Sequence, residues 1–151
     1  MRNRSRRFNY AGILFFWRMI SSGEKENFMA QSGTEKNIEK VNLKSAAGGL
    51  TELFRYLEVG RLNDHMLNIV VAENRTLDFH AHEDSDEMFY IIEGRMRIDF
   101  EDRAVDLAEG DFIIVPGGVS HRPVCTVPVK TLLIEKAGTL TPANTGGTYR
   151  P

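Results

Sequence analysis

The chain has one cysteine, Cys125, among its 151 residues. An intramolecular disulfide is therefore excluded, and nothing in the sequence calls for an oxidising compartment, so a cytoplasmic protein is expected. Excess charge is missing too. The net charge of −2 and the absence of a basic block in the body of the chain argue against a nucleic-acid-binding surface. No apolar run approaches the ~20 residues that a membrane-spanning helix needs. The most apolar patch, "YAGILFFW" at 10–17, stops at Arg18, and no membrane partner is expected. Internal repeats and long helical periodicity are also lacking, which excludes solenoids and helical bundles.

What is present is one globular domain's worth of sequence, 42% hydrophobic and 26% charged. Its charge is uneven. Residues 1–28 carry six Lys or Arg against two acids, net +4, which leaves thirteen against nineteen, net −6, for the rest. "SRRF" at 5–8 hints at a twin-arginine signal, but the apolar region is short and no small-residue cleavage site follows. Glu24-Lys25-Glu26 can be encoded GAA-AAG-GAG, a ribosome-binding sequence just before Met29. The expectation is a natural start at Met29, with 1–28 outside the natural chain or a disordered extension. A single domain over 29–151 follows, its core at about 45–137.

From Val41 onward short strands alternate with turns. "HMLNIVVAE" (65–73), "RTLDFHAH" (75–82) and "VKTLLIE" (129–135) read as strands. "EMFYIIEGRMRIDFED" (87–102) reads as a hairpin turning at Glu93-Gly94. Residues 103–124 add strands broken at Glu109-Gly110 and Pro116-Gly117-Gly118, with Phe112–Val115 expected to be buried. "GGLTELFRYLEVG" (48–60) fits a helical turn or a strand equally, and the Thr-, Gly- and Pro-rich tail after Gly138 reads as loop. Such a pattern means an all-β sandwich or barrel.

His80 and His82, two apart on a strand, point to one face. Glu87 lies at an odd separation from His82, but the polar stretch "EDSD" (83–86) can turn the chain so that it faces back. A barrel interior is where such side chains converge. A second stretch, "GDFIIVPGGVSH" (110–121), ends in His121. The remaining histidine, His65, reads as a strand-end surface residue, and Asp84 and Asp86 as solvated loop carboxylates. Cys125 shares parity with His121 and reads as a small buried hydrophobe.

The two stretches together resemble the cupin signature. The first fits His-x-His, four residues, Glu, six residues, Gly through His80, His82, Glu87 and Gly94. The second fits Gly, five residues, Pro-x-Gly, two residues, His through Gly110, Pro116, Gly118 and His121. The fifteen residues between Gly94 and Gly110 are what compact single-domain microbial cupins show. Two positions depart: Asn74 stands where the first motif usually opens with Gly, and Cys125 where the second often closes with Asn. Neither departure removes a ligand.

The resemblance implies an all-β cupin-type double-stranded β-helix, a jelly-roll barrel. It also implies one divalent metal held by His80, His82, Glu87 and His121. Three imidazoles and one carboxylate suit Fe, Mn, Ni, Co, Cu or Zn better than Mg or Ca. The expected function is that of a small metalloenzyme with dioxygenase- or isomerase-like chemistry. Glu87 is its candidate catalytic base, a role suggested for the corresponding residue in some cupins. Few cations fall at inward positions, which disfavours sugar phosphates and phosphomannose isomerase activity, and favours an apolar or phenolic small molecule. A non-catalytic binding module and a purely structural cupin are the alternatives. Related cupins pair through N-terminal strands, so a homodimer through residues 38–59 is expected.

Overall fold

The computed structural model describes residues 38–141 together with 144 and 145. The readings of 1–28, of the Met29 start and of the last tail residues lie outside these. A short helix, α1 (Leu43–Gly48), is capped by Asn42, whose side chain accepts from the Ser45 amide. The strands follow as β1 (Tyr56–Leu62), β2 (His65–Ala72), β3 (Arg75–Thr76), β4 (Glu87–Phe100), β5 (Ala104–Ala108), β6 (Phe112–Val115), β7 (His121–Cys125) and β8 (Val129–Lys136). The open stretch 48–60 therefore holds the end of the helix, a turn with Phe54 at φ 61, and the start of β1.

All strand pairings among the described residues are antiparallel, and they form two faces of a jelly roll. In one face β1 pairs β2, β2 pairs β8, β8 pairs the first half of β4, and that half also pairs β6. In the other face the second half of β4 pairs both β5 and β7, and β7 pairs β3. Phe89, Ile91, Ile98, Leu133 and Cys125 sit in the core cluster between the faces. On the outer side of the first face Ile69, Val71, Ile92 and Leu132 are buried with Ala47 of the helix.

β4 is the largest correction to the sequence reading. The expected hairpin at Glu93-Gly94 is instead one 14-residue strand that crosses from one face to the other. Its pairing with β8 slips between Ile91 and Glu93, and Gly94 follows at φ 88. A Cβ there would lie 2.4 Å from the Pro128 carbonyl oxygen. Glycine is required because backbone approaches backbone, not because the chain reverses.

A second correction concerns 75–82, expected as one strand. Only Arg75–Thr76 ladder with β7, opposite Cys125 and Val124. Pro123 has no N–H to give, so it only accepts, from the Leu77 amide. Pairing resumes at His80 opposite His121, one residue out of step with the earlier register. That slip is a bulge, and it reverses the inward parity of everything after it. Before it Arg75 and Leu77 line the interior; after it His80 and His82 do, while Phe79 and Ala81 are exposed.

β6 is the third. Phe112 and Ile114, expected to be buried, are 61% and 52% exposed, because side chains alternate along β6 and it is Ile113 and Val115 that face the core. Two further details bear on the site. Asn74, in place of the usual Gly, adopts φ 50, a left-handed conformation that Asn tolerates. Of the tail after Gly138, the described residues 139–141, 144 and 145 form no helix or strand; Leu140 and Thr145 are nevertheless buried, and Arg75 donates to the Thr145 carbonyl.

Candidate metal centre

Four strand or loop positions deliver the four candidate side chains to one end of the interior. The bulge aims His80 and His82 inward. Glu87 opens β4 opposite Val115, and His121 opens β7 opposite Phe100. The loop between them is stitched to the second motif. The Gly118 amide donates to the His82 carbonyl at 3.0 Å, and the Gly117 amide to Asp86 Oδ1 at 2.9 Å. Ser85 Oγ accepts from the Lys136 amide and donates to the Asp86 carbonyl, which ties the loop to β8. A Cβ on Gly117 would press on the Glu83 carbonyl oxygen at 3.2 Å, so the close approach asks for glycine here. Asp86 is solvent-facing, as expected, but its carboxylate holds the turn that precedes His121.

The four residues offer three imidazole nitrogens and one carboxylate oxygen, all within 4.8 Å of one another. Glu87 Oε2 lies 2.9 Å from His121 Nε2 and 3.2 Å from His82 Nε2. The side chains of Glu87 and His121 are 4% and 1% exposed. His80 Nδ1 sits 2.9 Å from the Asp78 carbonyl, and His121 Nδ1 2.9 Å from the Val119 carbonyl. A carbonyl can only accept, so each Nδ1 carries a proton; this leaves Nε2 as the nitrogen for a metal, while without one His121 Nε2 donates to the Glu87 carboxylate. That second layer is what metal-binding histidines need to fix their tautomer. Ligands at about 2.1 Å from a common ion lie no more than about 4.2 Å apart, so a small contraction would suffice. The donor set fits a divalent transition metal.

Electrostatics agree. Burial by itself would raise the Glu87 carboxyl, but hydrogen bonds from His121 and His82 and their charges outweigh it and hold it below the usual carboxylate range. Burial would lower His121, and the Glu87 carboxylate overcomes this and raises it. His80 is lowered, chiefly by burial. The cluster thus already favours a carboxylate beside positive charge.

The cluster opens onto a small cavity with mainly apolar walls that include Leu77, Phe89, Met96 and Leu133. Cys125 lines it as a neutral thiol, pushed up to about 11 by burial. His65 is elsewhere, paired with Asp64 at 2.9 Å. The sequence reading missed Glu135. It is fully buried, and neither carboxyl oxygen has a hydrogen-bond partner among the described residues. Burial, with Glu87's charge adding, pushes it up to about 8, which favours its protonated form. Met88 pairs Ile134, which sets Glu135 beside Glu87 across the sheet. Only that register could have revealed it.

A jelly roll with three histidines and a glutamate gathered inside it defines a cupin. Comparison with known proteins agrees: the Cupin domain family matches residues 68–135, and the chain belongs to this family. It is 33% identical over 95 residues to uncharacterized protein YdbB of Bacillus subtilis (strain 168), spanning 62% of this chain and 83% of YdbB. Among solved structures it resembles a cupin-2 domain containing protein from Shewanella frigidimarina NCIMB 400, with TM-score 0.60 and 27% identity over 64% of this chain and 93% of that one. Protein NMB1881 from Neisseria meningitidis is similar at TM-score 0.58 and 29% identity, over 66% of this chain and all of that one.

Proposed function

We propose that the protein is a metal-dependent cupin enzyme, dioxygenase- or isomerase-like, acting on a small, largely apolar or phenolic molecule. The observation that carries this is the gathering of four donors beside an apolar cavity, three of which, His80, His82 and Glu87, line it. A bound divalent transition metal would supply Lewis acidity, and redox chemistry if it is Fe, Mn, Ni, Co or Cu, at positions the protein leaves open. His80, His82 and His121 would hold it through Nε2, their rings fixed from behind in two of the three cases. Glu87 would complete the set and, on release, take a proton from the substrate at Oε2. Phe89, Met96 and Leu133 would keep water from the reacting group.

Glu87→Gln tests this, since it keeps size and one oxygen donor but removes charge and basicity. Wild type and variant are loaded separately with Fe, Mn, Ni and Zn, and loss of phenols, diketones and sugars is followed under air and nitrogen. Wild type should turn over at least one compound with one metal, and the variant should fall by about 10² or more in kcat. No turnover with any metal would instead support the second reading, a non-catalytic module that binds its ligand through the metal. One observation favours that reading. Beyond the cluster, Tyr56 and Cys125 line the cavity and burial raises both, so neither is poised to exchange protons near neutrality.

The proposal includes a small-molecule rather than nucleic-acid or membrane partner, a cytoplasmic location and a homodimer. The lone buried thiol supports the compartment. No helix among the described residues is long and apolar enough to cross a membrane. For the dimer the support is β1 at the edge of the sheet, with Ile38, Val41 and Leu53 exposed in the 38–59 segment.

A further inference from the structure

The outer sides of the two sheet faces differ in kind. On the second face Arg97, Asp99, Asp106 and Arg122 stand outward, with Asp99 accepting from both arginines. An antiparallel sheet with one solvated side reads this way, polar outward. The first face does not. Cross-strand partners share a side, and the register joins Phe112, Tyr90, Leu132, Ile69 and Leu57 in one row across all five strands. The next row runs Ile114, Met88, Ile134 and Leu67 and ends at Gly60. Neither row holds a charge. Helix α1 covers the middle of the first row, where Ile69 and Leu132 are buried with Ala47. The β6 end stays open. Phe112 and Ile114 are largely exposed there, and Met88, Tyr90 and Ile134 are half-buried.

We propose that a second copy of this chain covers this patch, first face against first face about a two-fold axis. This rests on the homodimer reading above and extends the contact from 38–59, whose helix α1 lies on this face, to the sheet itself. A two-fold contact sets a surface against its own copy, so any charge near the axis meets its like. Two uncharged rows avoid that repulsion. Of the lysines on α1 and β8, Lys44 pairs Glu109 and Lys130 pairs Glu93, which leaves Lys136. One free cation is too little to draw in a nucleic acid or an anionic lipid surface. An apolar centre inside a polar rim is how protein interfaces are built. The size fits as well. Five strands at about 4.8 Å span about 24 Å, and strands of seven or eight residues run about 25 Å, roughly 600 Å² before side-chain relief. A stable interface buries about 800 Å² per partner.

Analytical ultracentrifugation of the full chain over a concentration series gives the dimer dissociation constant, and circular dichroism reports the fold. Wild type should be a dimer at micromolar concentration. Phe112→Ser combined with Ile114→Ser should raise the constant about a hundredfold or more, since each change acts twice in a two-fold contact. The circular dichroism should not change, because both side chains are exposed in the single chain. Thiol labelling reads the same face with a milder change. Phe112→Cys should be labelled more slowly as protein concentration rises through the dimerisation range, while Asp106→Cys on the second face should be labelled at one rate throughout. The natural thiol, Cys125, is buried. A monomeric wild type overturns this inference and the homodimer reading together. A wild-type dimer whose constant the double substitution leaves unchanged overturns this inference alone and leaves the contact at 38–59. If the double variant unfolds, Phe112→Cys decides: protection that grows with concentration supports the inference, and a constant labelling rate overturns it.

Discussion

Gly94→Ala separates the two reasons a chain can need glycine. At φ 88 an alanine accepts a left-handed backbone, which costs about 1–2 kcal/mol. Its Cβ must also enter space held by the main chain, 2.4 Å from the Pro128 oxygen and 3.2 Å from the Val129 Cα. Neither atom belongs to a side chain that can swing away, so β8 or β4 must shift. Overpacking of that kind adds about 1–3 kcal/mol. Gly110 is the control: it sits at φ 91, and a Cβ there would meet nothing within 4 Å. Gly110→Ala should therefore cost only the conformational part. Urea unfolding of wild type and both variants should place Gly94→Ala about 1–3 kcal/mol below Gly110→Ala at similar m-values. Equal stabilities would refute the claim that β4 crosses between faces pressed against the Pro128 backbone, and would revive a turn at this position.

Three further outcomes are expected. His82→Ala should lose the thermal stabilisation that added metal gives wild type, about 2.7 kcal/mol when free metal is a hundredfold above Kd, and a variant still stabilised to the wild-type extent would count against His82. Without metal, Glu135 should make stability fall as pH rises from about 4.5 to about 8, because the folded carboxyl holds its proton over that window and the unfolded one does not. Glu135→Gln should flatten that slope in urea titrations at several pH values, and an unchanged slope would place the linkage elsewhere. Light scattering at micromolar concentration should give the mass of a dimer, and a monomer mass would remove the role proposed for 38–59.

The parts of the fold and site that were legible in the sequence are those set by neighbours in the chain. His80, His82 and Glu87 stand within eight residues of one another, and a polar loop between apolar runs announces the turn that joins them. His121 follows a Pro-Gly-Gly bend that is equally local. The reach of β4 was not legible, because Glu93-Gly94 looks like a turn and only the distant Pro128 carbonyl explains the glycine. The bulge before His80 depends on Pro123, more than forty residues away, and it decides which of 75–82 face inward. The exposure of Phe112 and Ile114 was not legible either, because an unbroken apolar run does not say which face meets the core. Glu135 and Arg75 each read as an ordinary charge at the end of a strand. Register alone brings one beside Glu87 and turns the other toward the cavity.

The central claim is that His80, His82, Glu87 and His121 together hold one metal ion. The direct measurement is metal content per chain, by plasma mass spectrometry, after purified protein is loaded with each candidate metal and dialysed. Wild type should retain about one equivalent of at least one of them, His82→Ala and His121→Ala almost none, and Glu87→Gln an intermediate amount. Wild type that retains no metal, or His121→Ala that retains as much as wild type, would contradict the account.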